Sequence, residues 1–331
     1  MKKIVLQMLL SLVILALIMY LADFEKVAQI IYEANLFYLA VAVVFYFSIN
    51  IVMVFRIGMI LDYLGEKTDY RRILTSHFGG MLASDFTPAR AGYLLTAFLI
   101  SRNQGVDLNK SLVSILGPQM FDFIFKFVAG GIGIWYLSTF ILTFWQGTKL
   151  NLIMGLVVLG GMILCIWLLL FSKKFLELIS FIRNLPAGKH AYETLLNMQQ
   201  NSHAISSLTP QILVLLFVTW VLKAIEWWFI SMGLGIEPNI NFPPIIFWGF
   251  IQPIVTLLQF MPFPTIAGVG LAEGGASILL MQFGVSFPHS VAFTLMTRFV
   301  MVMVDIIGIG EVLRLIFRNE KKMSQIKAPK I

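Results

Sequence analysis

Apolar residues run along this chain in long blocks joined by short polar segments. A helix needs about 20 consecutive apolar residues to cross the hydrocarbon of a bilayer. Six stretches meet that length: Ile4 to Leu21, Leu36 to Ile57, Ser111 to Leu137, Leu150 to Phe171, Gln211 to Leu234 and Ser290 to Phe317. Two further apolar regions, Ile73 to Ser101 and Phe242 to Phe283, are interrupted from within. The first contains TPARAGY at Thr87 to Tyr93, and the second contains FPTIAGVGLAE at Phe263 to Glu273. Proline lacks the backbone donor and glycine favours other conformations, so neither helix runs unbroken through Pro88 and Gly92 or through Pro264 and Gly268. In lipid a freed backbone group finds no water, and such breaks are tolerated only where protein or an aqueous cavity surrounds them. The halves of the first region, about 14 and 10 residues, are too short to cross singly, so this pair is expected to enter and leave on one face. The halves of the second approach 20 residues, and either a hairpin or two true crossings fits them.

An internal repeat relates the two regions. Gly105 and Val106 precede Ser111 by the spacing that separates Gly284 and Val285 from Ser290, and each pair closes a broken segment and opens a long span. The repeat unit is span, broken pair, span, over about 36 to 138 and 211 to 317. A single span, 150 to 171, lies between the copies, which makes the second inverted relative to the first, a recurring transporter construction. The expected fold is therefore an all-α polytopic membrane protein: one transmembrane domain over 1 to 331, with about six full spans and two broken hairpins arranged as inverted repeats. Residues 172 to 208 form the one long polar segment. Phe175, Leu178, Ile179 and Ile182 fall at helical spacing beside basic Lys173, Lys174 and Arg183, so this connector either lies along the cytoplasmic lipid surface or is simply solvated.

Composition agrees with this pattern. Of 331 residues, 59% are hydrophobic and 12% charged, and the mean hydropathy is +0.87, far from a soluble mixture. The net charge of +7 would fit a nucleic-acid partner, but its distribution excludes one. With the amino terminus cytoplasmic, the inner segments hold Lys2, Lys3, Lys67, Arg71, Arg72, Arg102, Lys110, the connector's lysines and arginine, and the basic tail from Arg314 onward, whereas the outer segments hold only Lys26 and Lys149. That asymmetry is a topology signal that places both termini on the cytoplasmic side of the cell membrane and brings the two breaks toward each other from opposite faces. The first run follows Lys2 and Lys3 as a signal peptide would, but its length is nearer a full span and no clear A-x-A site follows it. Cys165 is a lone cysteine in an apolar run and is expected as buried filler. The four histidines lack metal-ligand spacing, no glycine-rich phosphate loop follows a strand, and no soluble stretch has room for a catalytic domain, so no metal or other cofactor is expected. Trp227, Trp228 and Trp248 are read as interface anchors.

Ionisable residues inside spans default to function. Asp122 with Lys126, and Lys223 with Glu226, are spaced to pair on one helical face; Asp122 and Glu226, with Asp85, are also candidates for charge coupling. Arg90 stands in the first break, where a half-helix begins; it grips a phosphate as a bidentate fork at that helix start, snorkels to the cytoplasmic interface, or pairs with Asp85. Glu273 lies in the first turn after the second break, as a capping carboxylate, as a coupling group, or as a partner that holds Arg90 or Arg298 until an anion arrives. Arg298 is either a second phosphate clamp or the partner of Asp305, two turns on. Thr87, Gly92, Gly268 and Gly270 complete the expected substrate site.

These residues resemble a family, the flippase-like domain also called the lysylphosphatidylglycerol synthase transmembrane region. The resemblance is carried by Arg56 at the end of the second span, T-P-x-R-x-G at Thr87 to Gly92, the stretch from Gly105 through Asp122, P-x-P-T-x-x-G-x-G-x-x-E at Pro262 to Glu273, and Arg298. The chain departs from the family's usual pattern at Tyr93, at Pro118 and Gln119, and at Ile266 and Ala267. The resemblance implies a domain that moves a lipid headgroup across the bilayer, alone or fused to a synthase. The expected activity is thus a flippase for a phosphate-bearing phospholipid or polyprenyl-linked lipid, working with membrane lipids and with a separate lipid-modifying synthase or glycosyltransferase. An integral membrane enzyme, or its accessory subunit, using Glu273 and Asp85 as acid and base is the rival reading, and an anion channel a third.

Overall fold

The computed structural model describes residues 2–141, 161, 164, 168, 172–184, 188–200, 202–260 and 270–315. Every secondary-structure element among them is helical. Four helices are long and apolar enough to cross a membrane: Leu36–Tyr63, Leu108–Gly133, Thr209–Gly233 and Phe287–Leu315. They coincide with four of the six expected spans. A fifth, Ile4 to Leu21, lies within helix α1 (Lys2–Leu21). The expected span at 150 to 171 lies outside the described residues except for isolated positions.

After α1 comes α2 (Phe24–Tyr32), a short amphipathic helix that buries Val27 and packs on the last long helix. No long apolar run announces it. The first long helix, α3 (Leu36–Tyr63), starts where the Asn35 side chain accepts from the Phe37 amide at 3.0 Å. Its exposed face carries Phe37, Val44, Phe47, Ile51 and Phe55 at helical spacing, while Tyr46, Asn50 and Arg56 are buried. An apolar outer face over an interior that admits polar and charged side chains suits a lipid solvent.

The first broken region is α4 (Tyr70–Asp85), a 3-10 turn (Pro88–Leu94) and α5 (Leu95–Gln104). Its halves of 16 and 10 residues are close to the expected lengths. Gly105, at φ +73°, ends α5, and the Asp107 carboxylate accepts from the Asn109 and Lys110 amides to start α6 (Leu108–Ile141). The 172 to 208 connector is largely helical: α7 (Lys173–Leu178), a 3-10 turn (Ser180–Asn184), α8 (Gly188–Gln200) and α9 (Ser202–Ser207). It leads into α10 (Thr209–Gly233). The second broken region supplies α11 (Pro244–Phe260, 17 residues) and α12 (Leu271–Met281, 11 residues), and the break between them, 261 to 269, lies outside the described residues. Gly284, at φ +78°, precedes the Ser286 cap of α13 (Phe287–Asp305), which continues through a 3-10 turn (Ile306–Gly308) to residue 315.

Helices α3 and α10 pack along each other at the centre. Against them, α4 lies beside α5 and α3, while α11 lies beside α12 and α10; α6 packs on α11, and the end of α13 crosses α4. That last crossing is close because it runs over glycine: a Cβ on Gly308 would overlap the backbone of Phe78 and Gly79. An aromatic cluster fills the junction of α10 to α13, with Trp248 stacked on Phe293 at 4.6 Å and Trp227 edge-on to the same ring at 5.3 Å. Trp227 and Trp248 are buried core residues rather than the interface anchors expected of them, because α11 and α13 close over the α10 face that carries Trp227. Trp228 is half-buried.

Candidate functional site

Between α3, α4, α6, α10 and α11 lies a cavity of ≈ 140 Å³ whose wall carries four cations: Arg56, Arg90, Lys126 and Lys223. Each is placed by a different part of the fold. Arg56 comes from α3, Arg90 from the 3-10 turn that interrupts the first broken region, Lys126 from α6 and Lys223 from α10. Asp122, Gln119, Tyr46, Tyr93, Gln252 and Thr256 supply further polar lining, and Met53, Met81, Phe125, Trp220 and Trp227 the apolar remainder.

The break that carries Arg90 is a built feature. The Thr87 Oγ1 accepts from the Gly92 amide at 2.7 Å, closing the turn. Gly92 lies so near the end of α4 that a Cβ would overlap the Ala83 carbonyl. Arg90 itself has φ +55°, a left-handed conformation uncommon for a residue with a side chain. Its side chain turns back onto α4, where Nε donates to Ser84 Oγ and an Nη to Asp85 Oδ1, both at 3.0 Å. Conformations of this kind persist where surrounding contacts over-determine them, and they cluster at ligand clamps.

Two further cations are held on their own helices, as the spacing predicts. Lys126 donates to Asp122 Oδ2 at 2.6 Å, and Lys223 reaches Glu226 at 2.8 Å while standing 4.6 Å from the centre of the Tyr46 ring. Tyr46 in turn donates to Asp305 Oδ2 at 2.9 Å. Asp305 also lies against Asp85, and one oxygen of each, Asp305 Oδ1 and Asp85 Oδ2, is buried without a hydrogen-bond partner. Arg56 differs from the other three cations: it is 3% exposed, has no carboxylate within ion-pair distance among the described residues, and its Nε has no acceptor. The Tyr93 hydroxyl lies next to it.

Arg298 and Glu273 do not line this cavity. Arg298 donates through Nε and Nη2 to Glu273 Oε1, each at 2.7 Å, while Glu273 Oε2 accepts from the Gly270 amide at 2.7 Å. Glu273 is therefore both the capping carboxylate of α12 and the partner of Arg298. Asp305, the other partner considered for Arg298, is engaged by Tyr46 instead. Gly270, at φ +89°, turns the chain into α12 and packs on Ile14 of α1. Gly268 lies outside the described residues. Of the expected site residues, the fold thus gathers Arg90, Asp85, Asp122 and Glu226 with Thr87 and Gly92 in one region, and holds Arg298, Glu273 and Gly270 in another.

Arg56, marked in the sequence only by the resemblance, and the two tyrosines had no place in the expected site. Helix α3 continues to Tyr63 and carries Arg56 inside the bundle.

A family model described as Lysylphosphatidylglycerol synthase TM region matches residues 4–308. The chain belongs to that family. No curated protein matches it. The match to the lysylphosphatidylglycerol synthase TM region spans both breaks and every helix that contributes to the cavity. Together with the four membrane-length helices, membership makes this an integral membrane protein of lipid metabolism or transport.

Proposed function

We propose that this protein is a lipid flippase of the cell membrane, moving a phosphate-bearing phospholipid or polyprenyl-linked lipid between leaflets. The carrying observation is the cavity with Arg56, Arg90, Lys126 and Lys223 on its wall, enclosed by helices whose outer faces are apolar. Charges inside lipid are costly and mark substrate paths. In this reading the headgroup enters the cavity, the tails stay in the bilayer, and Arg90 turns from Asp85 to the phosphate. Thr87 and Gly92 hold the turn that presents it. Glu273 and Arg298 form a second station, in which Arg298 exchanges its carboxylate for the phosphate as the headgroup moves on; Gly270 turns the chain into that station, and Gly268 is assigned to the same substrate site. Asp85, Asp122 and Glu226 take up the cations released when the substrate leaves.

The two halves are read as inverted repeats, 36 to 138 and 211 to 317, with both broken regions entering as hairpins. Three features support this. The helices pair crosswise, α6 with α11 and α4 with α13, about the central α3 and α10. Gly105 and Gly284 take the same left-handed turn at corresponding places. The half-helices of 10, 11 and 16 residues are shorter than a full span. Rocking of one hairpin against the other gives alternating access. A separate synthase or glycosyltransferase supplies the lipid, and both termini face the cytoplasm. The test is translocation of a headgroup-labelled lipid in proteoliposomes. Arg90→Ala is expected to abolish it, and transport unchanged by that substitution removes the proposal.

A further inference from the structure

We infer that Arg56, with the Tyr93 hydroxyl beside it, is the docking point inside the cavity for a phosphate oxyanion. Three of the cavity's four cations already have a carboxylate at 2.6–3.0 Å, and recruiting any of them to a ligand first breaks a buried ion pair. Arg56 has no such pair to break. It is 3% exposed, lines the cavity, has no ion-pair partner among the described residues, and its Nε has no acceptor. Tyr93 points an unpartnered hydroxyl toward the same place, and nearby His77 is bonded through Nε2 to the Asn50 side-chain oxygen at 2.9 Å. Asp122, the carboxylate of the facing helix, is occupied by Lys126 and Gln119. A buried Nε–H without an acceptor on an unpaired cation lowers stability, and no carboxylate among the described residues neutralises that charge. An incoming oxyanion supplies the missing partner. Phosphate matches the donor set, since the planar fork of Arg56 takes two oxygens and a phenol donates to a third. Arg56 then receives the anion first, and Arg90 joins only after Asp85 lets it go.

The inference leans on the flippase reading for one point alone, that the phosphate belongs to a lipid. The experiment separates the two. The full chain in detergent is titrated with dihexanoyl phosphatidylglycerol, with inorganic phosphate and with uncharged dihexanoylglycerol, following fluorescence of Trp220 and Trp227 on the cavity wall. The charged lipid is expected to bind, the uncharged one to leave the signal unchanged, and Arg56→Gln to weaken the charged lipid about tenfold or more. Should Arg56→Gln fail to fold, Arg56→Lys keeps the charge without the fork and is expected to weaken binding about threefold or more, as is Tyr93→Phe. Arg56-dependent binding of inorganic phosphate without binding of the lipid supports the oxyanion site and makes its source a free anion. Lipid and phosphate affinities that ignore all three substitutions, or no binding to the unaltered chain, overturn the inference. Binding through Arg56 with no translocation in proteoliposomes leaves it standing and removes the flippase. Translocation with binding indifferent to Arg56 does the reverse.

Discussion

Lys223 and Glu226 illustrate how much a single residue's spacing says and where it stops. Three positions apart on α10, they were bound to share a face, and the side chains meet at 2.8 Å with Glu226 fully buried. Removing one partner strands the other charge, which typically costs about 3–5 kcal/mol, whereas replacing both with apolar residues of similar volume is often close to neutral. Glu226→Gln is therefore expected to lower stability by about 3–5 kcal/mol and Lys223→Met/Glu226→Leu by less than either single change. Thermal unfolding in detergent reads this, and additive losses would contradict a coupled pair. The partner of Tyr46 was not legible in the same way. Asp305 is 259 positions away, and only the crossing of α13 near α3 and α4 brings it there. Local spacing finds pairs within one helix; pairs between helices need the packing. The Arg298 and Glu273 pair stood in between, one of several alternatives until α12 and α13 were seen side by side.

At the scale of the element, a proline inside an apolar run does not always end its helix. Pro253 sits inside α11 without ending it. Its ring removes the amide that would bond the Gly249 carbonyl, and that carbonyl instead accepts from the Trp220 indole of α10 at 2.7 Å. Trp220→Phe is expected to destabilise by about 1–3 kcal/mol, the cost of a buried acceptor left unmade. In a Pro253→Ala background the restored amide takes over the carbonyl, and most of that loss should vanish. Equal losses in both backgrounds, measured by thermal unfolding, would show that Trp220 acts through packing alone. Pro88 and Gly92 do break their helix, and Arg90 at φ +55° sits in the bend. A left-handed position favours glycine over alanine by about 1 kcal/mol. Arg90→Gly is thus expected to be about 1 kcal/mol more stable than Arg90→Ala while transporting no better, which separates the backbone's role from the guanidinium's. Hydropathy announced this break but was silent about α2, whose nine residues are too few to form an apolar block.

For the whole molecule, the decisive question is whether the two halves face the membrane in opposite senses. Length and composition made the four long helices legible, since no soluble core needs such unbroken apolar runs. The relation between halves rests instead on where positive charge falls, and that is open to direct labelling. Lys67 follows α3, Glu237 follows α10, and Gln282 closes α12; all three are exposed. If the halves are inverted with both termini inside, Lys67 faces the cytoplasm, whereas Glu237 and Gln282 face out. In a Cys165→Ala background, single cysteines at 237 and 282 should react with a membrane-impermeant maleimide in intact cells, and one at 67 only after the membrane is opened. Position 282 carries the most information. Should α11 and α12 be two full crossings rather than a hairpin, residue 282 would still return to the outer side, so its labelling alone tests the parity of the second half. Labelling of 67 and 282 from the same side would leave the halves parallel, and a parallel pair could not bring the two breaks toward each other from opposite leaflets. Arg90 and the Arg298–Glu273 pair would then lie at one depth, and a headgroup would have no second station to reach. The opposite outcome sets the two stations on either side of the midplane, which is the separation a phosphate must travel.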